Sequence, residues 1–131
     1  MLTSHGNIKG RKIVTELLDA GLDSIDPYYR VKKLIRVENG RIILDTAGFE
    51  MKDDPCAGPL EFDLKDYDRV FVIGAPKGVQ RAALGFEEAL GEVLTAGHVI
   101  AKHGEEIICK KIGVTLAGHP IPDACCVEGC K

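Results

Sequence analysis

Residues Arg69-Val70-Phe71-Val72-Ile73 form an apolar run that leads straight into Gly74-Ala75-Pro76-Lys77-Gly78, and a helical pattern begins at Val79. A buried strand, a glycine turn, a lysine and a helix start are the parts from which α/β proteins build a seat for an anion. The glycines let the backbone come close, and the first N–H groups of the helix point outward at its positive end. A cation at that end is unfavourable unless an anion lies nearby to offset it. Lys77 is therefore either a solvated surface lysine or a ligand group. The turn is neither the GxxxxGK[ST] phosphate loop nor GxGxxG, so it does not specify which anion.

Two more apolar runs end in marked residues. One ends in Lys102-His103-Gly104, the other in Gly118-His119-Pro120-Ile121-Pro122-Asp123. In open parallel sheets, ligands bind beyond the carboxyl ends of the strands. If the three runs are parallel strands, Lys77, Lys102, His119 and Asp123 gather along one edge, with Gly74, Ala75 and Gly78 on the backbone side. That collection suits a phosphate or a small anionic substrate. Each residue also has a plainer role open to it. Lys102 and His103 could be solvated loop residues, His119 a structural residue in a rigid loop, and His98 a packing or edge residue inside its strand. Cys125, Cys126 and Cys130 lack the paired CxxC spacing of zinc sites. No metal site is assigned to them, and their plain role is as small residues near the chain end.

The elements that must position these groups follow from periodicity. Ile13, Val14, Leu17, Leu18, Leu22 and Ile25 recur at helical spacing, with Asn7 as a candidate N-cap. Asp26-Pro27 starts a second, shorter helix with Tyr28, Val31, Leu34 and Ile35 on one face. Asn39-Gly40 is a two-residue hairpin signal between strands at 36–38 and 41–45. Residues 46–61, with Gly48, Asp53-Asp54-Pro55 and Gly58-Pro59, read as a connecting loop. A strand at 69–74, a helix at about 79–91 and a strand at 97–101 form the central unit, and a strand at 112–116 joins it. Residues 105–110 are expected to form a short extra strand, and Gly85 to mark close packing of the helix against a strand. The expected fold is α/β: a Rossmann-like three-layer fragment with a partly parallel sheet, preceded by two helices and a hairpin, in a single domain of residues 1–131.

Composition narrows the classes. At 131 residues with 45% hydrophobic and 28% charged residues, the chain can bury a core. A net charge of −3 and the absence of Trp argue against a nucleic-acid partner. No apolar run approaches the ~20 residues of a membrane span, and the first twelve residues are polar, so no membrane is expected and the cytoplasm is the default. The five cysteines are then expected to be thiols.

Several pieces in order resemble the N-terminal part of the glycerate 2-kinase family, whose members carry a MOFRL domain at their C-terminal end. Asp26-Pro27-Tyr28-Tyr29-Arg30-Val31-Lys32 is similar to the family's DPYxxVK, and the 69–77 segment to its VxVVGAGKA. Val99-Ile100-Ala101-Lys102-His103-Gly104 is similar to VVTKYG. Ala117-Gly118-His119-Pro120-Ile121-Pro122-Asp123 resembles AGHPVPD, with Val127-Glu128-Gly129 where SVEGA often follows. The resemblance implies transfer of the γ-phosphoryl of ATP to the 2-hydroxyl of D-glycerate with Mg²⁺. Lys77 matches the active-site lysine that contacts substrate or phosphoryl. Some relatives have been described as hydroxypyruvate reductases. The residue before the lysine is Gly in the family and Pro76 here, which removes an N–H that could have bound an oxyanion. Family members are much longer, so the expectation is an N-terminal portion, inactive alone. It would act as a homo-oligomer or with the missing half as a separate chain. The competing reading is a non-catalytic anion-binding or interaction module.

Overall fold

The computed structural model describes residues 6–46, 58–75 and 77–131. Helix α1 (Ile8–Ile25) starts where Asn7 accepts the Gly10 N–H at 2.8 Å. Helix α2 (Pro27–Leu34) starts at Asp26, whose carboxylate accepts the Tyr28 N–H. Proline at the first helical position costs nothing, because its missing N–H has no partner there anyway. Strands β1 (Ile35–Glu38) and β2 (Arg41–Leu44) form the hairpin, with Asn39 and Gly40 both at positive φ as a primed turn requires.

Strand β3 (Leu60–Asp63) then pairs antiparallel with β2. The expected loop over 46–61 is corrected at that end. Four residues with a single apolar alternation, next to Gly58-Pro59, carry little strand signal of their own, and pairing with Ile42 and Leu44 supplies the rest. Residues 47–57 lie outside the described residues.

A second sheet holds strands β4 (Phe71–Gly74), β5 (Ala96–Lys102) and β6 (Gly113–Ala117), all parallel, in the order β4-β5-β6. Helix α3 (Val79–Leu90) connects β4 to β5, and the short α4 (Ala124–Glu128) follows β6. The partly parallel sheet is thus two sheets, one antiparallel and one parallel. Between them α3 is the middle layer. Its Ala83 and Leu90 meet Val31 and Ile35 from one side and Val99 and Ile112 from the other. Val99, on the central strand, is wholly buried, which is worth about 1.5–3 kcal/mol of apolar burial.

Gly85 faces α2, not a strand. A Cβ there would lie 2.9 Å from the Tyr28 carbonyl oxygen and 3.0 Å from Val31 Cβ. The glycine lets the two helices close, and ion pairs from Arg81 to Asp26 and from Lys32 to Glu88 stitch the rim of the contact.

The segment 105–110 forms no strand, contrary to expectation, and the reason is on α3. Gln80 and Glu87 lie two turns apart on one helix face, and both are buried. The Ile108 N–H donates to Gln80 Oε1 at 3.2 Å. The N–H groups of Lys110, Lys111 and Ile112 donate to the Glu87 carboxylate at 3.0, 2.9 and 3.0 Å. Backbone donors that a ladder would have used are taken by side chains. Burial pushes the Glu87 carboxyl up, but the three N–H donors outweigh it and hold the group below its ordinary value.

Two apolar surfaces stay uncovered among the described residues. No residue of α1 is buried, although Ile13, Val14, Leu17, Leu18, Leu22 and Ile25 line one face. On the sheet face opposite α3, Phe71 is 53% and Ile73 84% exposed. No described helix is long and apolar enough to cross a membrane.

Glu87→Ala strands three backbone donors and should cost about 3 kcal/mol or more in urea unfolding. Glu87→Gln should cost less, because its amide oxygen still accepts. A depressed carboxyl contributes stability that is complete above its ordinary pKa of 4.5 and fades as pH falls through the lower folded value. The gap between wild type and Glu87→Gln should therefore shrink on acidification. A gap that is independent of pH would show that the carboxylate is not held ionised.

Candidate functional site

The three parallel strands run out on a common edge: β4 at Gly74, β5 at Lys102, β6 at Ala117. Gly74 pairs with Val99, and a Cβ on it would lie 2.8 Å from Val79 Cγ2, because the first residue of α3 folds back over the strand end. Gly78 is the N-cap of α3 in the left-handed region, at φ 70, and supplies no side-chain cap. The first N–H groups of a twelve-residue helix are left with no side-chain cap acceptor, the arrangement that accepts an anion. Lys77, beside it, is exposed and pairs with no carboxylate among the described residues. Pro76 lies outside the described residues.

Gly74 and Ala75 also border a cavity of about 620 Å³ on the face opposite α3, with Ile73, His98, Ile100 and Lys131 among its walls. His98 points into that face and meets Thr115 Oγ1 through Nε2 at 2.8 Å. Gly113 makes room for it, since a Cβ there would lie 2.8 Å from His98 Nδ1.

At the other end of the edge the loop after β6 turns sharply. A Cβ on Gly118 would come within 2.3 Å of the Ile121 carbonyl oxygen, so the turn admits no side chain. The His119–Pro120 peptide is cis. Asp123 then caps α4: its Oδ1 accepts the Cys125 N–H at 3.0 Å. Its Oδ2 meets His103 Nε2 at 2.6 Å, and the Gly118 N–H also donates to the carboxylate. His103 first, then Gly118, hold the Asp123 carboxyl down at about 2.

The structure therefore places Gly74, Ala75, Lys77 and Gly78 in one loop, and Lys102 and Asp123 at the neighbouring strand ends. It gives Asp123 a partner, His103, that its place in the sequence does not indicate. His103, for which a solvated loop position is one expectation, is tied to β6 through its backbone N–H, which donates to the Ala117 carbonyl at 3.0 Å. The register Lys102↔Ala117 carries the residue after Lys102 directly across from the loop that holds Asp123. That signal exists only once β5 and β6 are known to pair. His119 is half-buried beside this loop and is not part of the His103–Asp123 pair. The Sγ of Cys125 completes a group in which the ligand atoms of His103, Asp123 and Cys125 all lie within 4.8 Å of one another. The Sγ of Cys126 lies 3.7 Å from the Gly118 carbonyl oxygen and 3.8 Å from Asp123 Oδ1.

A family model described as a domain of unknown function, DUF4147, matches residues 13–131. The chain is 29% identical over 121 residues to a glycerate 2-kinase of Pyrococcus horikoshii, covering 92% of this chain and 24% of that protein. It is similar in structure to the PH0495 protein of Pyrococcus horikoshii OT3, solved by crystallography, with a TM-score of 0.68 at 27% identity. That match covers 98% of this chain and 25% of the other. The chain thus spans about a quarter of the length of these relatives.

Gly118→Ala drives a methyl group into the Ile121 carbonyl and should lower stability by about 1–3 kcal/mol. Gly21→Ala, in open space within α1, should not lower it. Thermal unfolding of the two variants beside wild type checks the pair. Equal midpoints for Gly118→Ala and wild type would show that the turn is not as tight as described.

Proposed function

Because this chain belongs to the DUF4147 family, we propose that it forms one wall of a glycerate 2-kinase cleft, the N-terminal portion of an enzyme that moves the γ-phosphoryl of ATP to the 2-hydroxyl of D-glycerate. The observation that carries this reading is the common edge. Three parallel strands end side by side, and the loop after the first leads through Lys77 and Gly78 into the open N-terminus of α3.

In this reading the backbone of Gly74, Ala75 and Gly78 approaches the anionic group, and Lys77 neutralises charge on the substrate carboxylate or on the phosphoryl in flight. Lys102 adds positive potential from the next strand, and His119 shapes the substrate side. Asp123 acts through position: locked between His103 and two backbone N–H groups, it fixes the loop that carries His119. Phosphoryl transfer is catalysed by placement and charge neutralisation from several sides. One wall supplies one side.

The family also implies Mg²⁺. The Asp123 end of this edge does not suit it: that carboxylate is bound to an imidazole beside a thiol, whereas Mg²⁺ demands oxygen ligands and water. No step through the cation is assigned to these residues. The uncovered faces of α1 and of the parallel sheet are where the rest of the cleft would pack.

A coupled ATP-consumption assay with D-glycerate and Mg²⁺ tests the reading. These 131 residues alone should show no turnover, and activity should appear when the rest of the cleft is supplied. Lys77→Ala should then abolish it. Turnover of roughly 1 s⁻¹ or more from this chain by itself, within the ordinary enzyme range, would contradict it. So would full activity of the completed cleft carrying Lys77→Ala.

A further inference from the structure

We propose that His103, Asp123 and Cys125 form a binding site for a zinc-class divalent metal ion, with a fourth coordination position open to solvent. The three side chains come from places far apart in sequence, the end of β5 and the start of α4, and the fold alone brings them together. Their ligand atoms lie within 4.8 Å of one another. Around a tetrahedral zinc, with bonds of about 2.0 to 2.3 Å, ligand atoms sit roughly 3.3–3.8 Å apart. The trio reaches that spacing by side-chain rotation: the Cys125 thiol swings in and the 2.6 Å contact between His103 and Asp123 opens by under about 1 Å to admit the ion.

The donor types select the metal. One imidazole nitrogen, one carboxylate oxygen and one sulfur suit a borderline-soft ion such as Zn²⁺ or Co²⁺, and not Mg²⁺ or Ca²⁺. Three protein ligands with a free fourth position is the pattern of sites that take up water or an exchangeable ligand, rather than closed structural sites.

The trio also has the outer contacts that orient metal ligands. The Asp123 carboxylate is held by the N–H groups of Cys125 and Gly118. The backbone N–H of His103 donates to the Ala117 carbonyl at 3.0 Å, which fixes where the residue leaves the end of β5. Side chains of His103 and Asp123 are 52% and 38% exposed, which leaves an entry path. The terminal cysteines thus make no site through their own spacing. Cys125 makes one with partners that spacing does not show, while Cys126 Sγ lies 3.7 Å from the Gly118 carbonyl and 3.8 Å from Asp123 Oδ1, outside the group of three.

The test is titration of purified, chelator-treated protein with Co²⁺, followed by visible and near-ultraviolet absorption. We expect one equivalent of cobalt to bind with a thiolate-to-cobalt charge-transfer band, and Zn²⁺ to displace it. Cys125→Ser should remove the charge-transfer band while Cys126→Ser keeps it. His103→Gln, an exposed change that leaves the α4 cap intact, should weaken binding by at least the roughly tenfold that loss of even an outer-shell partner costs. Circular dichroism confirms that each variant is folded. No stoichiometric cobalt, a band that survives Cys125→Ser, or an affinity indifferent to His103→Gln overturns the assignment.

Discussion

A single buried carboxylate sets the layout of this molecule. Glu87, on the middle layer α3, accepts the N–H groups of Lys110, Lys111 and Ile112 within a narrow band of distances, 2.9 to 3.0 Å. A buried ion without partners would be costly, and three N–H groups without acceptors, one buried and two part-buried, would be costly too. Placed together, each removes the penalty of the other. The consequence is geometric. Ile112 is delivered into the core against Val99 at a fixed point, and β6 must start at the next residue.

Everything at the far end of β6 inherits that placement. The register with β5 puts Ala117 opposite Lys102, so the loop after β6 falls beside His103. Gly118 makes the turn, and Asp123 returns to close it by meeting His103 and capping α4. At the other side of the sheet the same economy holds: Gly74 lets Val79 fold over the strand end, and Gly78 starts α3 with its first N–H groups outward. The candidate anion seat and the candidate metal trio are therefore neighbours on one edge but separate in chemistry. One offers N–H groups and lysines. The other offers an imidazole, a carboxylate and a thiol.

Much of this was legible in the residues. Asn7, Asp26-Pro27 and Asn39-Gly40 mark helix starts and the hairpin turn because each acts through local geometry. The apolar runs of β4, β5 and β6 show as strands for the same reason, but β4 is not the buried strand its composition suggests, since Phe71 and Ile73 stay exposed. What escaped depends on contacts distant in sequence. Strand β3 is too short to show without its neighbour. Residues 105–110 look like a strand until Gln80 and Glu87 take their N–H groups. Gly85 looks like a helix-to-strand contact, yet the surface it meets is α2. His103 looks solvated until the pairing of β5 and β6 brings Asp123 across to it. In the terminal cysteines the visible feature was spacing, whereas their surroundings depend on the loop at Gly118.

The central claim is that the carboxyl edge of the parallel sheet is an anion seat shared by the β4–α3 loop and the neighbouring strand ends. Amide NMR of the purified chain, titrated with inorganic phosphate and then with D-glycerate to millimolar levels, addresses it directly. The account predicts that the amides of Lys77, Gly78, Lys102 and His119 shift together along one saturating curve, while those of α1 and the hairpin stay still. Shifts scattered over the surface, or none at the edge, would contradict it.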